Sequence, residues 1–312
     1  MEERSLGSLR VSVVGLGCNN FGGRLDEERS REVIDGALEA GVTFFDTADV
    51  YGETNSEVIL GRVLGSRRRD VIIATKFGMP LDDERFGARP EYVRTACEES
   101  LRRLGTDYID LFQLHYPDDT VPVADTLGAL NELVTAGKVR EIGCSNFSAE
   151  QLREARAAAG PGAQFATVQN QYSLLDRSPE RDGVLATCAE LGLGLLPFYP
   201  LANGLLTGKV RPGEAPPENT RLANMAADRR VHWLSEEFSR RVANLTAYAS
   251  EQGLPLLTLA FSWLLAHEVV PSVIAGATSS AQVQANARSV VTLSDEQRLE
   301  LERRSDEPAV GA

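Results

Sequence analysis

Short apolar runs alternate with longer amphipathic segments along almost the whole of this 312-residue chain. Each run is continuously apolar, which is typical of strands buried on both faces of a parallel sheet. The eight runs are residues 11–16, 42–46, 71–77, 109–115, 139–145, 165–170, 194–200 and 269–275. Eight strands separated by helical patterns favour one closed (β/α)8 barrel of the α/β class, a TIM barrel. A doubly wound open sheet is the structural alternative.

Several segments lie outside this repeat. Residues 3–11 are predicted to form a hairpin around Gly7 and Ser8, an N-terminal cap that closes the bottom of the barrel. Residues 202–230 are rich in Pro and Gly and predict a long loop without an apolar face of its own. We expect residues 203–230 of it to be a mobile lid, and residues 231–252 and 294–304 to be extra C-terminal helices. The chain, residues 1–312, is expected to be a single domain.

Charge and composition exclude several kinds of partner. The chain carries 32 Lys and Arg against 45 Asp and Glu, a net charge of −13, which argues against a nucleic-acid or anionic-membrane binder. No apolar stretch reaches the length of a membrane helix, and we see no signal peptide. The four Cys and three His lack zinc spacing, so we predict no metal site. A cytoplasmic location is the expectation.

Polar residues stand where successive apolar runs end. Asp46, Lys76 and His115 end three successive runs, and Ser145 and Gln169 follow at the next two. A solvated strand end accounts for any one of them about as well as a functional role does. In a barrel, however, these ends meet at the face that carries catalytic residues, so the three together favour an active site.

Tyr51 follows Asp46 by five residues, so its side chain can reach the same face. A phenol ordinarily titrates near 10. We expect the Lys76 ammonium to lower this pKa, Asp46 to hold Lys76 in place, and His115 to contact the oxygen that Tyr51 protonates. Such a set suits protonation of a carbonyl oxygen while a separate donor delivers hydride to carbon.

None of these side chains donates hydride, so the chemistry calls for a nicotinamide cofactor. The segment from Gly15 to Gly17 lacks the third glycine of a Rossmann fingerprint. The segment from Gly204 to Lys209 also fails to match a phosphate-binding loop. The cofactor is therefore not expected to bind in the Rossmann manner.

Four motifs in order resemble those of the aldo-keto reductase family. They are FDTADVYG with Glu57, LFQLHYP, GKVREIGCSNF and VIAGATSSAQVQAN, and the resemblance spans about residues 11–286. Within the family, GKVREIGCSNFS and PFYPLANGLLTGK are most similar to bacterial enzymes related to potassium-channel β subunits. The resemblance implies a carbonyl-reducing oxidoreductase on a TIM barrel.

The resemblance also implies residue roles. Tyr51 would be the general acid, Lys76 and Asp46 would lower its pKa, and His115 would orient the carbonyl. Ser145, Asn146 and Gln169 would bind the nicotinamide carboxamide, with Tyr199 stacked on the ring. The remaining implied cofactor contacts are Gly17, Cys18, Pro200, Leu201, Gly204, Leu206, Lys209, Gly276, Ala277, Thr278, Ser280, Gln282 and Asn286.

The chain departs from the family pattern at the expected cofactor phosphate. Thr278 stands where the family has Arg or Lys, and Ala285 where it usually has Glu. A hydroxyl cannot match the bidentate contact of a guanidinium with a phosphate. NADP(H) is expected on family grounds and NAD(H) stays open, with Ser279, Ser280 and Arg288 as possible substitutes for the missing cation.

The expected activity is NAD(P)H-dependent reduction of aldehydes or ketones to alcohols, with a small-molecule carbonyl substrate. The first alternative is a cofactor-binding, redox-sensing subunit with slow turnover. The second is an unrelated barrel isomerase or aldolase that uses Lys76 as a Schiff-base nucleophile. The oligomeric state cannot be read from the residues.

Two further groups of side chains have functional interpretations. Phe21, Phe86 and Tyr116 lie in predicted strand-to-helix loops and could form an aromatic wall of the pocket, although single exposed aromatics need no explanation. Cys18 and Cys144 are interpreted as small buried hydrophobes in preference to redox sensors.

Overall fold

The structure is a computed structural model that describes residues 1–211, 214–218 and 220–306. It opens with an antiparallel hairpin of β1 (Glu3–Leu6) and β2 (Leu9–Ser12), which confirms the predicted N-terminal hairpin. Gly7 turns the hairpin with a φ of +56°, and a Cβ there would lie 2.7 Å from the Glu141 carboxylate. The same carboxylate accepts a 2.7 Å hydrogen bond from the Ser8 amide, which fixes the turn to the barrel wall.

The next eight strands form one parallel sheet, in the spatial order β10-β3-β4-β5-β6-β7-β8-β9. They are β3 (Val14–Gly17), β4 (Phe44–Asp46), β5 (Ile72–Phe77), β6 (Ile109–Leu114), β7 (Val139–Ser145), β8 (Phe165–Gln171), β9 (Gly194–Phe198) and β10 (Val273–Gly276). The Leu195 amide of β9 donates to the Val269 carbonyl, just before β10, at 2.7 Å. This contact brings the two edges together, and the predicted (β/α)8 TIM barrel is confirmed.

Helices cover the outside of the barrel. They are α1 (Glu27–Glu39), α2 (Asn55–Leu64), α3 (Pro90–Leu104), α4 (Val123–Thr135), α5 (Ala149–Ala159), α6 (Ser178–Arg181), α7 (Val184–Leu191), α8 (Ala227–Trp233), α9 (Glu236–Glu251), α10 (Leu256–Leu265), α11 (Ser280–Ala287) and α12 (Asp295–Asp306). Short 3₁₀ helices span Gly65–Asp70 and Ala202–Thr207. Local sequence sets the helix starts: Asp26 caps α1, and Ser148 with Gln151 forms a capping box at α5.

The hairpin closes the amino-terminal end of the barrel. Leu6, Leu9 and Val11 pack against inward-facing residues such as Phe44 and Ile274 in an apolar cluster separate from the core between sheet and helices. Because this end is filled with apolar side chains, the open end is the one where the strands finish.

Strand register brings the polar strand ends to that open end. Asp46 pairs with Gly17 on one side and Ala74 on the other, and Lys76 pairs with Gln113. Ser145 pairs with Gln169. The residues that interrupt the apolar runs therefore stand at one rim, as parallel pairing requires.

The segment 202–230 differs from its prediction. Leu205, Leu206, Val210 and Leu222 are buried, so the expectation of a loop without apolar anchors was wrong. The leucines of the 3₁₀ helix pack into the main core, which periodicity could not indicate because the segment has no regular repeat. Residues 212, 213 and 219 lie outside the described residues.

The extra helix predicted over residues 231–252 is two helices, α8 and α9. Ser235 lies between them in an extended conformation, and its side chain accepts a hydrogen bond from the Phe238 amide to begin α9. The predicted terminal helix is α12. Of the helices in the described part of the chain, none has the length and apolar character needed to cross a membrane.

Candidate active site

A buried ion pair occupies the centre of the rim. The Lys76 ammonium donates to both carboxylate oxygens of Asp46 at 2.7 Å and to the Thr47 carbonyl at 2.9 Å. Burial, the largest single influence, lowers the pKa of Lys76, but the charge and hydrogen bonds of Asp46 together with Tyr51 and Cys18 outweigh it, and the pKa is raised above its usual value. Lys76 is therefore a permanent cation with all its donors in use.

Tyr51 lies beside this cation, with its ring centroid 5.4 Å from Lys76 Nζ. The loop that carries it turns back at Gly52, Glu53 and Thr54, which all have positive φ. Burial raises the pKa of Tyr51 above its usual value, while Lys76 acts in the opposite direction. Lys76 therefore does lower the pKa of Tyr51, as expected. Burial raises that pKa by more, because the phenolate would lose its hydration.

His115 faces Tyr51 edge-on, with the ring centroids 6.0 Å apart. Burial, and then the Lys76 charge, lowers the pKa of His115 to about 3. Its imidazole is therefore neutral at physiological pH, and its Nδ1 atom is buried without a hydrogen-bond partner. The backbone holds it in place, because the His115 amide donates to the Phe77 carbonyl at 2.8 Å.

These protonation states divide the chemical roles. At neutral pH, Tyr51 keeps its proton, His115 is neutral and Lys76 is charged. Tyr51 is the group that can give up a proton beside a cation able to stabilise the phenolate left behind. A neutral imidazole can donate or accept one hydrogen bond, which suits orientation of a substrate oxygen better than its protonation.

The residues predicted to bind the nicotinamide carboxamide, Ser145, Asn146 and Gln169, are hydrogen-bonded to the residues just described. Gln169 Nε2 donates to Asp46 Oδ1 at 2.9 Å, and Ser145 Oγ donates to the Gln169 carbonyl at 2.7 Å. Asn146, at a φ of +62°, donates from Nδ2 to the His115 carbonyl at 3.0 Å. The structure therefore brings all three residues to the rim, with the Gln169 amide engaged by Asp46.

Tyr199 follows β9 with a φ of +51° and is covered by Arg221, a residue that the sequence analysis missed. Arg221 Nη2 donates to the Tyr199 hydroxyl at 2.8 Å, and its guanidinium carbon lies 4.6 Å from the ring centroid. Its charge also lowers the pKa of Tyr51, against the larger effect of burial, which places a loop cation at the site. The sequence shows arginines within the irregular 202–230 segment, but no pattern singles out Arg221 as the one that reaches Tyr199.

The other predicted cofactor residues lie on two sides of the rim. Gly17 ends β3, opposite Gly276 of β10, and Cys18 is buried directly after it. After β9 come Pro200, Leu201, Gly204, Leu206 and Lys209. The Leu206 side chain is fully buried, so this residue can offer a ligand only its backbone, whereas Lys209 is exposed.

The β10–α11 junction carries the remaining set. The Thr278 amide and hydroxyl both donate to Gln282 Oε1, at 2.8 and 3.2 Å. Asn20 Nδ2 donates to the Ala277 carbonyl at 3.1 Å and ties this junction to the β3 loop. Ser280 begins α11 and Asn286 is buried near its end. The junction is thus a fixed turn that presents the N-terminus of α11.

The aromatic and cysteine predictions have mixed outcomes. Phe21 is fully buried and cannot line a pocket, because its loop folds back onto Cys18. Phe86 and Tyr116 are 37% and 50% exposed, and Tyr116 stacks on His115 with ring centroids 5.6 Å apart. Cys18 and Cys144 are buried, and burial raises the pKa of both thiols well above their usual value. They behave as small apolar residues.

Within the described residues, no group of three or more His, Cys, Asp or Glu side chains is arranged to hold a metal ion. The charged groups at the rim neutralise one another instead. A metal is therefore not needed to explain the buried carboxylate of Asp46, which Lys76 already balances.

A closed barrel with ionisable residues at the carboxyl ends of its strands is typical of a TIM-barrel enzyme. The model of the Aldo/keto reductase family matches residues 13–304, and the chain belongs to this family.

Relatives with known names support the assignment. The chain is 33% identical over 304 residues to a "Probable voltage-gated potassium channel subunit beta" of Arabidopsis thaliana, covering 93% of this chain and 91% of the relative. It is 41% identical over 207 residues to "Probable aldo-keto reductase 1" of Glycine max, covering 64% and 58%. The solved aldo-keto reductase AKR11C1 from Bacillus halodurans, in its holo form, is similar with a TM-score of 0.81 and 32% identity, covering 97% and 96%.

Proposed function

We propose that the protein reduces aldehydes or ketones to alcohols with NADPH or NADH, and that Tyr51 is the general acid. One observation carries the proposal: the buried Lys76–Asp46 pair lies beside Tyr51 at the open end of the barrel. A permanent cation there stabilises the phenolate that forms as Tyr51 gives up its proton. Family membership supports an oxidoreductase acting on carbonyl compounds.

The chemistry of the residues at the rim fits a nicotinamide dinucleotide. Tyr199 supplies an aromatic ring that Arg221 covers from one side, and the same loop supplies the cations of Lys209 and Arg221, which suit the phosphates of a dinucleotide. Two buried oxygens, Asn170 Oδ1 near the end of β8 and Asn203 Oδ1 after β9, have no hydrogen-bond partner. They are acceptors that a bound cofactor could use. The N-terminus of α11 would hold the adenosine half. When bound, the cofactor supplies the hydride for the carbonyl carbon.

The side chains of the chain itself would then act on the carbonyl oxygen. Neutral His115 orients that oxygen beside Tyr51, and Tyr51 donates its proton to it as the alcohol forms. Lys76 stabilises the resulting phenolate, while Asp46 and Thr47 hold the ammonium in place. Burial of Asp46, Lys76 and His115 strengthens these interactions, since little water competes for them.

The alternatives are less well supported. A Schiff base requires a neutral lysine amine, but Lys76 is fully buried, bonded through three contacts and held charged by Asp46. A slow redox-sensing subunit is not favoured, because the complete set of proton-donating groups is assembled as turnover requires.

The test of the proposal is cofactor binding followed by a carbonyl screen. Titration with NADPH and, separately, NADH should quench the fluorescence of Trp233, which is half-buried in α8 beyond the loop that carries Arg221. A Trp233→Phe variant identifies the reporter, since Trp263 is fully buried elsewhere. Aldehyde-dependent loss of reduced-cofactor absorbance is the expected result. Binding of neither cofactor would overturn the proposal.

Cofactor preference gives a separate prediction at the β10–α11 junction. Thr278→Arg should raise the preference for NADPH over NADH by about 10- to 100-fold, because a guanidinium adds a charge-assisted contact with a phosphate, worth about 1.5–3 kcal/mol. The measurement is the ratio of kcat/KM for the two cofactors. Thr278→Gln, of similar length and no charge, is the control. An unchanged ratio in the arginine variant would show that the 2′-phosphate lies elsewhere.

A cytoplasmic location, a single catalytic domain and mobility of residues 203–230 stay proposals. Limited proteolysis with and without cofactor would test the last, with cleavage between residues 203 and 230 expected to slow when cofactor is bound.

A further inference from the structure

One buried carboxyl group near the site has no partner. Within the described ranges, four acidic residues are buried: Asp46, Asp49, Glu57 and Asp110. Lys76 neutralises Asp46, Arg103 neutralises Glu57, and Arg68 with Arg140 neutralises Asp110. Asp49 is 1% exposed, and neither of its carboxyl oxygens has a hydrogen-bond partner. The adjacent Val50 amide favours its charged form but does not reach hydrogen-bonding geometry.

The groups around Asp49 disfavour a second negative charge. Glu57 of α2 is already fully engaged, since Arg103 Nε donates to it at 2.6 Å and Thr75 Oγ1 at 2.5 Å. Arg103 of α3 also contacts Glu99 at 3.4 Å, so its charge is shared. Tyr92 of α3 feels the Asp49 charge, but its buried hydroxyl has no partner and so does not donate to Asp49. Burial, followed by Glu57, raises the pKa of Asp49 to about 7 against the weaker opposing charges of Arg103 and Lys76.

Asp49 belongs to the short segment that connects Asp46 with Tyr51. Its amide donates to the Lys76 carbonyl at 3.0 Å, and the Thr47 amide donates to the Ala74 carbonyl at 2.8 Å. The Tyr51 amide donates to the Ala48 carbonyl at 3.2 Å. The first two bonds hold residues 47–49 on β5, and the third folds Tyr51 back onto this segment. A force on the Asp49 side chain therefore acts on the loop that positions Tyr51.

We propose that Asp49 is a positioning residue whose carboxyl group must be neutral for residues 47–49 to stay bound to β5. Ionisation would add a second buried negative charge near the Glu57 carboxylate, whose partner Arg103 is already shared with Glu99. The segment can relieve that repulsion and hydrate Asp49 only by moving away from β5. Tyr51 would then lose its position beside Lys76. The positioning of Tyr51 for proton donation rests on the proposed function, whereas the pH-dependent loosening of the segment does not.

Hydrogen exchange of the segment tests the structural part without cofactor or substrate. In the wild type, protection of the Thr47 and Asp49 amides, corrected for the intrinsic pH dependence of exchange, should fall about tenfold per pH unit above about pH 7. Asp49→Asn should keep protection constant, because its side chain stays neutral. Glu53→Gln, an exposed acid on the same loop, should behave as the wild type. Asp49→Ala serves as a second neutral variant if the asparagine variant does not fold.

The pH dependence of turnover tests the link to Tyr51. One pH unit above its midpoint, the wild type should retain about one tenth of its maximal kcat/KM, while Asp49→Asn stays near its maximum. A constant wild-type protection across neutral pH, or the same decline in both Asp49 variants, would overturn the proposal. Loss of protection without any carbonyl reduction would instead contradict the proposed function alone.

Discussion

Tyr51→Phe is expected to lower kcat for carbonyl reduction by about 10²–10⁴-fold while leaving cofactor affinity nearly unchanged. The substitution removes one hydroxyl and keeps the ring 5.4 Å from Lys76 Nζ, so the packing of the site is preserved. His115 cannot take over as the acid, because burial and the Lys76 charge hold its pKa at about 3. Single-turnover reduction with saturating cofactor would measure the loss at the chemical step.

The matched control is Tyr108→Phe. Tyr108 precedes β6 at the opposite end of the barrel, where its ring packs against Arg68 with the guanidinium carbon 4.3 Å from the centroid. Removing its hydroxyl should leave kcat unchanged. If Tyr51→Phe kept substantial turnover while binding cofactor normally, another group would have to donate the proton, and the assigned acid would be wrong.

The barrel and the charged strand ends could be predicted because both depend on local pattern and on a fixed geometry. A continuous apolar run that ends in Asp46 or Lys76 marks a buried strand whose end reaches the rim. Parallel register then places neighbouring ends together whatever the loops do. The same reasoning predicts that Ser145 and Gln169 stand at this rim, where the register of β7 and β8 pairs them.

The parts that could not be predicted depend on chain paths and on burial. Arg221 reaches Tyr199 only because the irregular 202–230 segment folds back over the rim on buried leucines. Phe21 was expected at the pocket wall but is buried, since its loop turns inward. The direction of the Tyr51 pKa was missed for a related reason: the sequence shows that a lysine is near, but not how completely the phenol is desolvated.

Gln169 illustrates the same limit within a correctly predicted site. Its place at the end of β8 follows from the strand, and the structure brings it to the rim as expected. Its amide nitrogen nevertheless binds Asp46, so it helps to fix the carboxylate that holds Lys76. Gln169, which was expected to contact the cofactor, therefore also holds Asp46 in place for Lys76. A sequence motif cannot predict this contact, because it depends on the distance between two side chains.

Lys76→Met is expected to affect both activity and stability, for different reasons. Loss of the ammonium leaves the Asp46 carboxylate buried with only Gln169 as a side-chain partner, and breaking a buried pair in this way costs about 3–5 kcal/mol of unfolding free energy. Turnover should fall by at least about 10²-fold, because the phenolate of Tyr51 loses its stabilising cation. Urea unfolding and kcat/KM measure the two effects separately.

The double variant Lys76→Met with Asp46→Asn distinguishes the two effects. Neutralising Asp46 removes the unpaired charge, so most of the lost unfolding free energy should return. Turnover should not return, since the ammonium beside the Tyr51 ring is still missing. If the single variant lost only a little activity, or if the double variant recovered activity together with stability, Lys76 would serve chiefly to neutralise Asp46. The acidity of Tyr51 would then have to come from another source, and Arg221, whose charge also lowers the Tyr51 pKa against the larger effect of burial, would be the residue to vary next.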